Sequence, residues 1–407
     1  MGKMVTARQL RKLWLAYWRP TLFYGALLLI FMSVAWLRLG TLTGGYSADE
    51  VATLGASSSF RTIIEQPLNA PFLLLGRLLL LLGNESAFWM RAAAALLGLC
   101  TLTVFYWLVR HWHGERSAVL GTILFGCSAW FLHTSRLGTP DVALFGLLGL
   151  VACAMWLRRT ENPWVLALTV LVAALLTYVP GMAWLVVAGL AWQWRVIVAT
   201  SKRHAALTIG CAVGAVALLV PLAMAIYRSP HLALSIAGLP TGGWPQLVES
   251  LHRLAAIPFN LFVRGPLSPE HWLGRLPILD AFSIAMLVLG VYLYVRNYRL
   301  ARVQIVGAAI AIGAVLFSLG GVVSLSLIMP FIYLLIAAGI GFMLDRWHGV
   351  FPRNVIAQAV GVVFVTVAVA AACLYGIRHY FVAWPAVPAT KQVFVLPQPK
   401  PLSDTIE

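Results

Sequence analysis

Charge is what this sequence has least of. Only 10% of its 407 residues are Asp, Glu, Lys or Arg, against about 25% in an average soluble domain, while 61% are hydrophobic. A chain of this composition cannot cover a water-facing surface, which excludes a soluble enzyme and a disordered segment. Cysteine is scarce as well. Cys100, Cys127, Cys153, Cys211 and Cys373 fall singly inside apolar runs, with no CxxC or CxxH spacing. That excludes a disulfide-stapled secreted domain and reads as small buried hydrophobes rather than metal or redox ligands. Long apolar runs, by contrast, are abundant: 355–375 carries no charge, and about twenty such residues cross a hydrocarbon core of roughly 30 Å. The composition predicts an all-α polytopic membrane protein.

Apolar spans lie near 21–39, 86–109, 117–134, 141–157, 163–178, 181–194, 205–227, 277–295, 303–320, 324–344 and 354–376. This predicts about 11 transmembrane helices, within a range of 10–12, counted over those runs. The first span follows a basic leader with Lys3, Arg8, Arg11, Lys12 and Arg19 and shows no clear small-residue cleavage site, so it reads as an uncleaved helix.

The net charge of +16 would suit a nucleic acid or an acidic surface if it were clustered. With the N-terminus placed in the cytoplasm, segments 1–20, 110–116, 158–162, 195–204, 296–302 and 345–353 hold 17 Lys and Arg against 3 acids, and the other side holds 12 against 10. Lys and Arg gathered in short loops are the signal that orients membrane helices. Topology thus absorbs nearly all of the basic excess, and no nucleic-acid partner is expected. The acids are the informative charges. Asp49, Glu50, Glu65, Glu85, Asp141, Glu249, Glu270, Asp280, Asp404 and Glu407 fall on the outer side, where two long loops, about 40–85 and 228–276, are able to build a site. Within them Val51–Ile64 and Trp244–Ile257 repeat apolar residues at helical spacing, as juxtamembrane helices in the headgroup plane do.

Three pieces carry chemistry-bearing residues. Gly44-Gly45-Tyr46-Ser47-Ala48-Asp49-Glu50 sets adjacent carboxylates just beyond the first span; Ser47 and Glu50 also have the spacing of a helix capping box, so capping and substrate contact both remain open. Ser135-Arg136-Leu137-Gly138-Thr139-Pro140-Asp141 is a short outer turn, where Asp141 reads as a helix cap or a functional acid at the membrane mouth and Arg136 as a headgroup anchor or a site cation. The segment from Phe262 through Arg264, Glu270 and His271 to Asp280 is a loop long enough to be functional or a solvated connector with Asp280 capping the next helix.

In this order and spacing, with Glu65-Gln66-Pro67-Leu68, Arg91-Ala-Ala-Ala and Arg110-His-Trp-His-Gly-Glu between the first two pieces, the chain resembles the GT-C glycosyltransferases that use lipid-linked sugars. It is similar to the family 39 protein O-mannosyltransferases and the aminoarabinose transferases of lipid A. The resemblance covers roughly residues 20–230 and continues more loosely through Phe262–Asp280, the Pro330 helix and the Tyr380–Pro385 tail. Gln66 stands where the lipid A transferases carry Lys, Ser324 and Ser326 stand near where a late Arg is common, and the Trp-Trp-Asp motif of oligosaccharyltransferases is absent.

The resemblance implies a GT-C fold and an enzyme of the plasma (inner) membrane with its site facing outward. It implies transfer of a hexosyl or pentosyl unit from a polyprenyl-phosphate-linked donor to an acceptor hydroxyl on a protein, lipid or surface glycan, in one inverting displacement. By residue matching, Asp49 is the general base, with Glu50 and Asp141 beside it. Arg61, Arg264, His271 and Arg136 are matched to the donor phosphate, and Tyr46, Glu65 and Gln66 to acceptor or sugar positioning. Tyr46, Phe72, Trp89 and Trp272 read first as an interfacial aromatic belt. Asp49 and Asp141 would hold a divalent cation (Mg²⁺, Mn²⁺ or Ca²⁺) if one is used. A domain plan follows: a core over 1–230 with its catalytic loop at 40–85, an outer loop at 231–276, C-terminal membrane helices over 277–376 and an outer tail at 377–407. The other readings are a transporter or flippase of lipid-linked sugars and a non-catalytic scaffold of the same fold.

Overall fold

The computed structural model describes residues 25–82, 88–273 and 275–396. The basic leader and the acids Glu85, Asp404 and Glu407 lie outside them. The described chain is helical, with no strand beyond one isolated bridge. In order it forms α1 (Gly25–Trp36), α2 (Ala48–Ala56), α3 (Phe60–Glu65), α4 (Ala70–Leu82), α5 (Phe88–His113), α6 (Glu115–Gly126), α7 (Ala129–Arg136), α8 (Gly146–Thr160), α9 (Pro163–Leu176), α10 (Met182–Arg203), α11 (Ala205–Arg228) and α12 (His231–Ile236). There follow α13 (Leu247–Phe262), α14 (Ala281–Arg296), α15 (Ala301–Ser318), α16 (Met329–Val350), α17 (Val355–Arg378), α18 (Trp384–Ala386) and α19 (Pro388–Val393). Short 3₁₀ turns at Pro140–Phe145 and Leu325–Leu327 lead into α8 and α16, and a π-helical turn at His379–Ala383 extends α17.

Among the described residues seven helical runs are long and apolar enough to cross a membrane, and eight if the bent pair α6 and α7 counts as one span. The remaining three of the eleven expected spans correspond to shorter apolar helices: α1, α9 and α14. At 1.5 Å per residue a helix as short as α9 falls well below the bilayer core, so length alone does not make these full crossings. The expected span 117–134 is two helices meeting at 64°. Ser128 causes the break: its hydroxyl accepts the Phe131 N–H and starts α7 as a new helix.

Burial separates the centre of the bundle from its rim. α16 is apolar on every side, as a helix enclosed by others must be, and 89% of its apolar window is buried, against 11% for α11. Glycine permits the closest contact: a Cβ on Gly290 of α14 would overlap the Leu335 carbonyl, and one on Gly339 of α16 would overlap that of Met286. Small residues that let backbones meet are how helices pack where lipid is as apolar as leucine. The rim helices instead expose Val213, Val216, Val363 and Phe364.

Of the two amphipathic stretches, Val51–Ile64 is two short helices, α2 and α3, broken at Ser57–Ser59, where Ser59 caps α3. Trp244–Ile257 is realised as α13, which exposes Leu247, Val248 and Leu251. The tail after α17 folds back over the same end of the bundle. Trp384 Nε1 donates to the Pro269 carbonyl at 2.9 Å, and Tyr46 and Leu396 exchange backbone hydrogen bonds at 3.0 and 3.3 Å. The loops around Asp49 and His271 are thereby tied to one brace.

Candidate active site

The site begins with the cap of α2. Ser47 and Glu50 form the reciprocal capping box their spacing predicts: the Glu50 N–H donates to Ser47 Oγ and the Ser47 N–H to Glu50 Oε2, both at 3.2 Å. Glu50 does more than cap. Arg91 grips it in two-pronged fashion, Nε to Oε1 at 2.7 Å and Nη2 to Oε2 at 2.6 Å, and the Gly138 N–H donates to Oε1 at 2.8 Å. The rest of the Arg91 guanidinium donates to the carbonyls of Leu39 and Gly45 and lies 4.5 Å from the centre of the Tyr46 ring. Glu50 and Arg91 are 3% and 2% exposed. Glu50, expected beside Asp49 in the chemistry, is therefore an enclosed anchor that joins α2, α5 and the turn after α7. One residue earlier in the helix, about 100° around the axis, Asp49 is exposed. Tyr46, expected to position sugar, lies buried beneath Arg91.

The second half comes from the turn after α7 and the loop before α14. Asp141 is the second residue of its 3₁₀ turn and does not cap it; its Oδ1 accepts from Ser324 Oγ at 3.3 Å, and His271 Nε2 lies 3.5 Å from its Oδ2. Burial pulls the His271 pKa down, but Asp141, Glu270 and Asp49 pull it up more strongly, and the net shift is above the ordinary 6.5. Glu270 is raised too, first by burial and then by the charges of Asp49 and Glu50, with the Ser47 hydroxyl and His271 acting against them. Its Oε1 is buried without a hydrogen-bond partner. Asp49 is thus close enough for its charge to act on both Glu270 and His271, and the two loops meet in one acidic recess around an imidazole.

The other expected phosphate contacts are placed differently. Arg136 is 2% exposed; it donates to the carbonyls of Val34 and Leu37, and its guanidinium stacks 4.5 Å from the centre of the Phe381 ring. It pins α1 and the tail to α7. Arg61 is exposed and paired with Glu65 at 2.9 Å one helical turn on, so the first expected phosphate cation and one expected sugar contact hold each other. Gln66 and Arg264 are exposed. Trp272 and Phe72 belong to the interior rather than an interfacial belt: Trp272 is 2% exposed and packs against His379 and Trp130. Asp280 caps α14 through the Ser283 N–H.

Glu270, Arg91, Gly138 and Ser324 were not singled out as site residues in the sequence. The one available signal was the adjacent Glu270-His271 in a long loop. The Arg91–Glu50 and Gly138–Glu50 contacts span 41 and 88 residues and leave no local trace. Among the described residues no group of three His, Cys, Asp or Glu side chains is arranged to hold a metal ion.

Beside the Asp141 turn an apolar cavity of about 250 Å³ runs between α4, α5, α8 and α9, lined by Phe72, Thr101, Val142, Phe145, Gly149 and Leu176 among others. Its lining shares the segment that carries Asp141, through Val142 and Ala143.

No family model and no curated protein matches the sequence. Solved structures do. ArnT from Cupriavidus metallidurans, in the apo state, superposes with a TM-score of 0.57 at 16% identity over 92% of this chain and 78% of its own. The Archaeoglobus fulgidus oligosaccharyltransferase in its apo form gives 0.55 at 14% identity over 91% of this chain and 57% of its own. That archaeal enzyme, AglB, in complex with an inhibitory peptide and a dolichol-phosphate, gives 0.52 at 13% identity, with 95% of this chain and 57% of that one covered. The chain has the GT-C fold. It spans little more than half of the oligosaccharyltransferase. Within the GT-C frame, the acidic recess lies where the start of α2, the turn after α7 and the loop before α14 meet, and the apolar cavity is lined in part by the residues that follow Asp141 in that turn.

Proposed function

We propose that this protein is a membrane glycosyltransferase that moves a sugar from a polyprenyl-phosphate donor to an acceptor hydroxyl, with its site on the outer side of the plasma (inner) membrane. The observation that carries this reading is the convergence of Asp49, Asp141 and Glu270 around His271, next to an apolar cavity in the bundle, on the GT-C fold.

Asp49 takes the proton of the acceptor hydroxyl as that oxygen attacks the anomeric carbon. The new carbon–oxygen bond forms as the bond to the phosphate oxygen breaks, with inversion at carbon. The electron pair leaves on the polyprenyl phosphate. A protonated His271 donates to that oxygen as its negative charge grows, and Asp141 holds the imidazole in place. Arg264, exposed in the same loop, supplies the more distant cation. The cavity beside Asp141 takes the first prenyl units.

Two outcomes test the donor half. Because His271 titrates above its ordinary 6.5, it is a cation at low pH and loses its proton as pH rises through that elevated value. Donor KM therefore climbs across that window in the wild type. His271→Gln raises KM about tenfold at pH 6, the loss expected for one charge-assisted hydrogen bond, and flattens the pH dependence. A histidine that only braces Asp141 would lower kcat and leave the KM profile intact. The cavity is tested at Gly149, which lines it and where a Cβ meets nothing within 4 Å. Gly149→Phe adds a ring to the groove lining at a position where the backbone leaves room for a side chain to start. We expect KM for a long-chain donor to rise about tenfold, which is about 1.4 kcal/mol, with little change for a donor of two prenyl units. Equal effects on both would place the tail elsewhere.

A further inference from the structure

A second cavity, of about 550 Å³, is lined by none of Asp49, Asp141, Glu270 and His271 and lies between the turn 239–245, the start of α13 and the end of α15. Neither the donor chemistry nor the acidic recess uses it. Its lining is polar and unlike that of the prenyl groove. Trp244 stands 71% exposed at its edge, offering a broad flat apolar face. Arg253 and Glu249 line it as a pair at 2.7 Å, and they are its only charged lining residues. Gly242, Gly243, Gly320 and Gly321 leave the backbone bare around the rest.

The cavity is held in shape by glycine contacts. Gly320 has φ +70°, and a Cβ there would collide with the Arg253 guanidinium, so the absence of a side chain seats the arginine. A Cβ on Gly321 would overlap the Gly238 carbonyl, and one on Gly238 would overlap Val323 and Gly181. The Gly181 N–H donates to the Ile236 carbonyl at 2.8 Å. Three loops therefore meet backbone to backbone behind the cavity. The wall at Val322 continues through buried Val323 to Ser324, which holds Asp141. Two residues of chain reach at most about 7 Å.

These features select a ligand class. A cation and an anion that neutralise each other leave no net charge for a phosphate or a carboxylate. A guanidinium, a carboxylate and bare peptide groups together present donors and acceptors in several directions, which matches a molecule covered in hydroxyls. An exposed indole covers the apolar face of a ring. We propose that this cavity is the acceptor subsite and that the acceptor is a neutral oligosaccharide, bound with its terminal hydroxyl directed along the 322–324 wall toward Asp141 and Asp49. This rests on the transferase reading above and names its acceptor class.

The test uses the full chain in nanodiscs without donor. Saturation-transfer NMR is recorded with mannotriose, maltotriose and chitotriose as neutral probes, and with a sialylated trisaccharide and a Ser/Thr-rich peptide as competitors. We expect at least one neutral trisaccharide to bind. Trp244→Ala should raise its dissociation constant at least tenfold, and Gly320→Ala, which dislodges Arg253 without removing its charge, should weaken binding in the same direction. Thermal unfolding of both variants confirms that they fold. Binding by none of the neutral probes, preference for the anionic sugar or the peptide, or folded variants that bind as the wild type does would each overturn the proposal. A separate measurement, release of sugar to water from a polyprenyl-phosphate donor by the wild type, reports on the transferase reading itself. Release without trisaccharide binding sinks only the acceptor subsite; absence of release sinks the transferase.

Discussion

Asp49→Asn is expected to abolish sugar transfer while leaving the protein as stable as the wild type. The carboxylate is exposed at the start of α2, and the capping of that helix is carried by Ser47 and Glu50. Asn keeps the size and polarity of the side chain but cannot take a proton from an acceptor hydroxyl. A positioned base contributes about 10²–10⁴-fold to rate, so kcat should fall by at least that lower bound, with donor KM close to the wild-type value. Turnover and thermal unfolding, measured on the same preparation, check both halves. Retained turnover would remove Asp49 from the role of base.

Arg91→Met is expected to do the opposite and act through the fold. It strips Glu50 of its two charge-assisted bonds and leaves a buried carboxylate with only the Ser47 and Gly138 N–H groups. Removing one partner of a buried ion pair costs about 3–5 kcal/mol, and the carbonyls of Leu39 and Gly45 lose a donor as well. The transition should drop sharply in temperature, or the purified protein should fail to run as one species. Glu50→Gln combined with Arg91→Met removes both charges and should recover part of the loss, because the desolvation penalty of the carboxylate goes with it. An unchanged transition in the single variant would mean that Glu50 is not the anchor of this loop. The contrast between the neighbours is the sharper statement: position 49 governs rate, position 50 governs folding.

The sequence made that pair visible but could not separate its members. A capping box is local, spanning Ser47 to Glu50, so it was legible, as was the Asp280 cap of α14. Apolar runs fixed the helices of the bundle, because twenty residues without charge have few alternatives. What could not be seen were contacts between distant segments. Arg136 looked like a free cation at a membrane mouth, yet its donors face the carbonyls at the end of α1. Trp272 looked like a belt residue, yet the tail folds over it and buries it. The bend at Ser128 was hidden because both arms are apolar and hydropathy does not report direction. Glu270 was visible as a residue but not as a site group, since its pKa is raised first by burial in the folded loop and then by Asp49 and Glu50, more than two hundred positions away in the chain.

The most direct test is a structure of the protein in lipid with a polyprenyl phosphate bound. The phosphate should lie against His271, within reach of Asp49, with the first prenyl units in the cavity lined by Val142, Phe145 and Gly149. A phosphate bound at the opposite end of the bundle, or one beside Arg61 with the recess around His271 empty, would contradict the account.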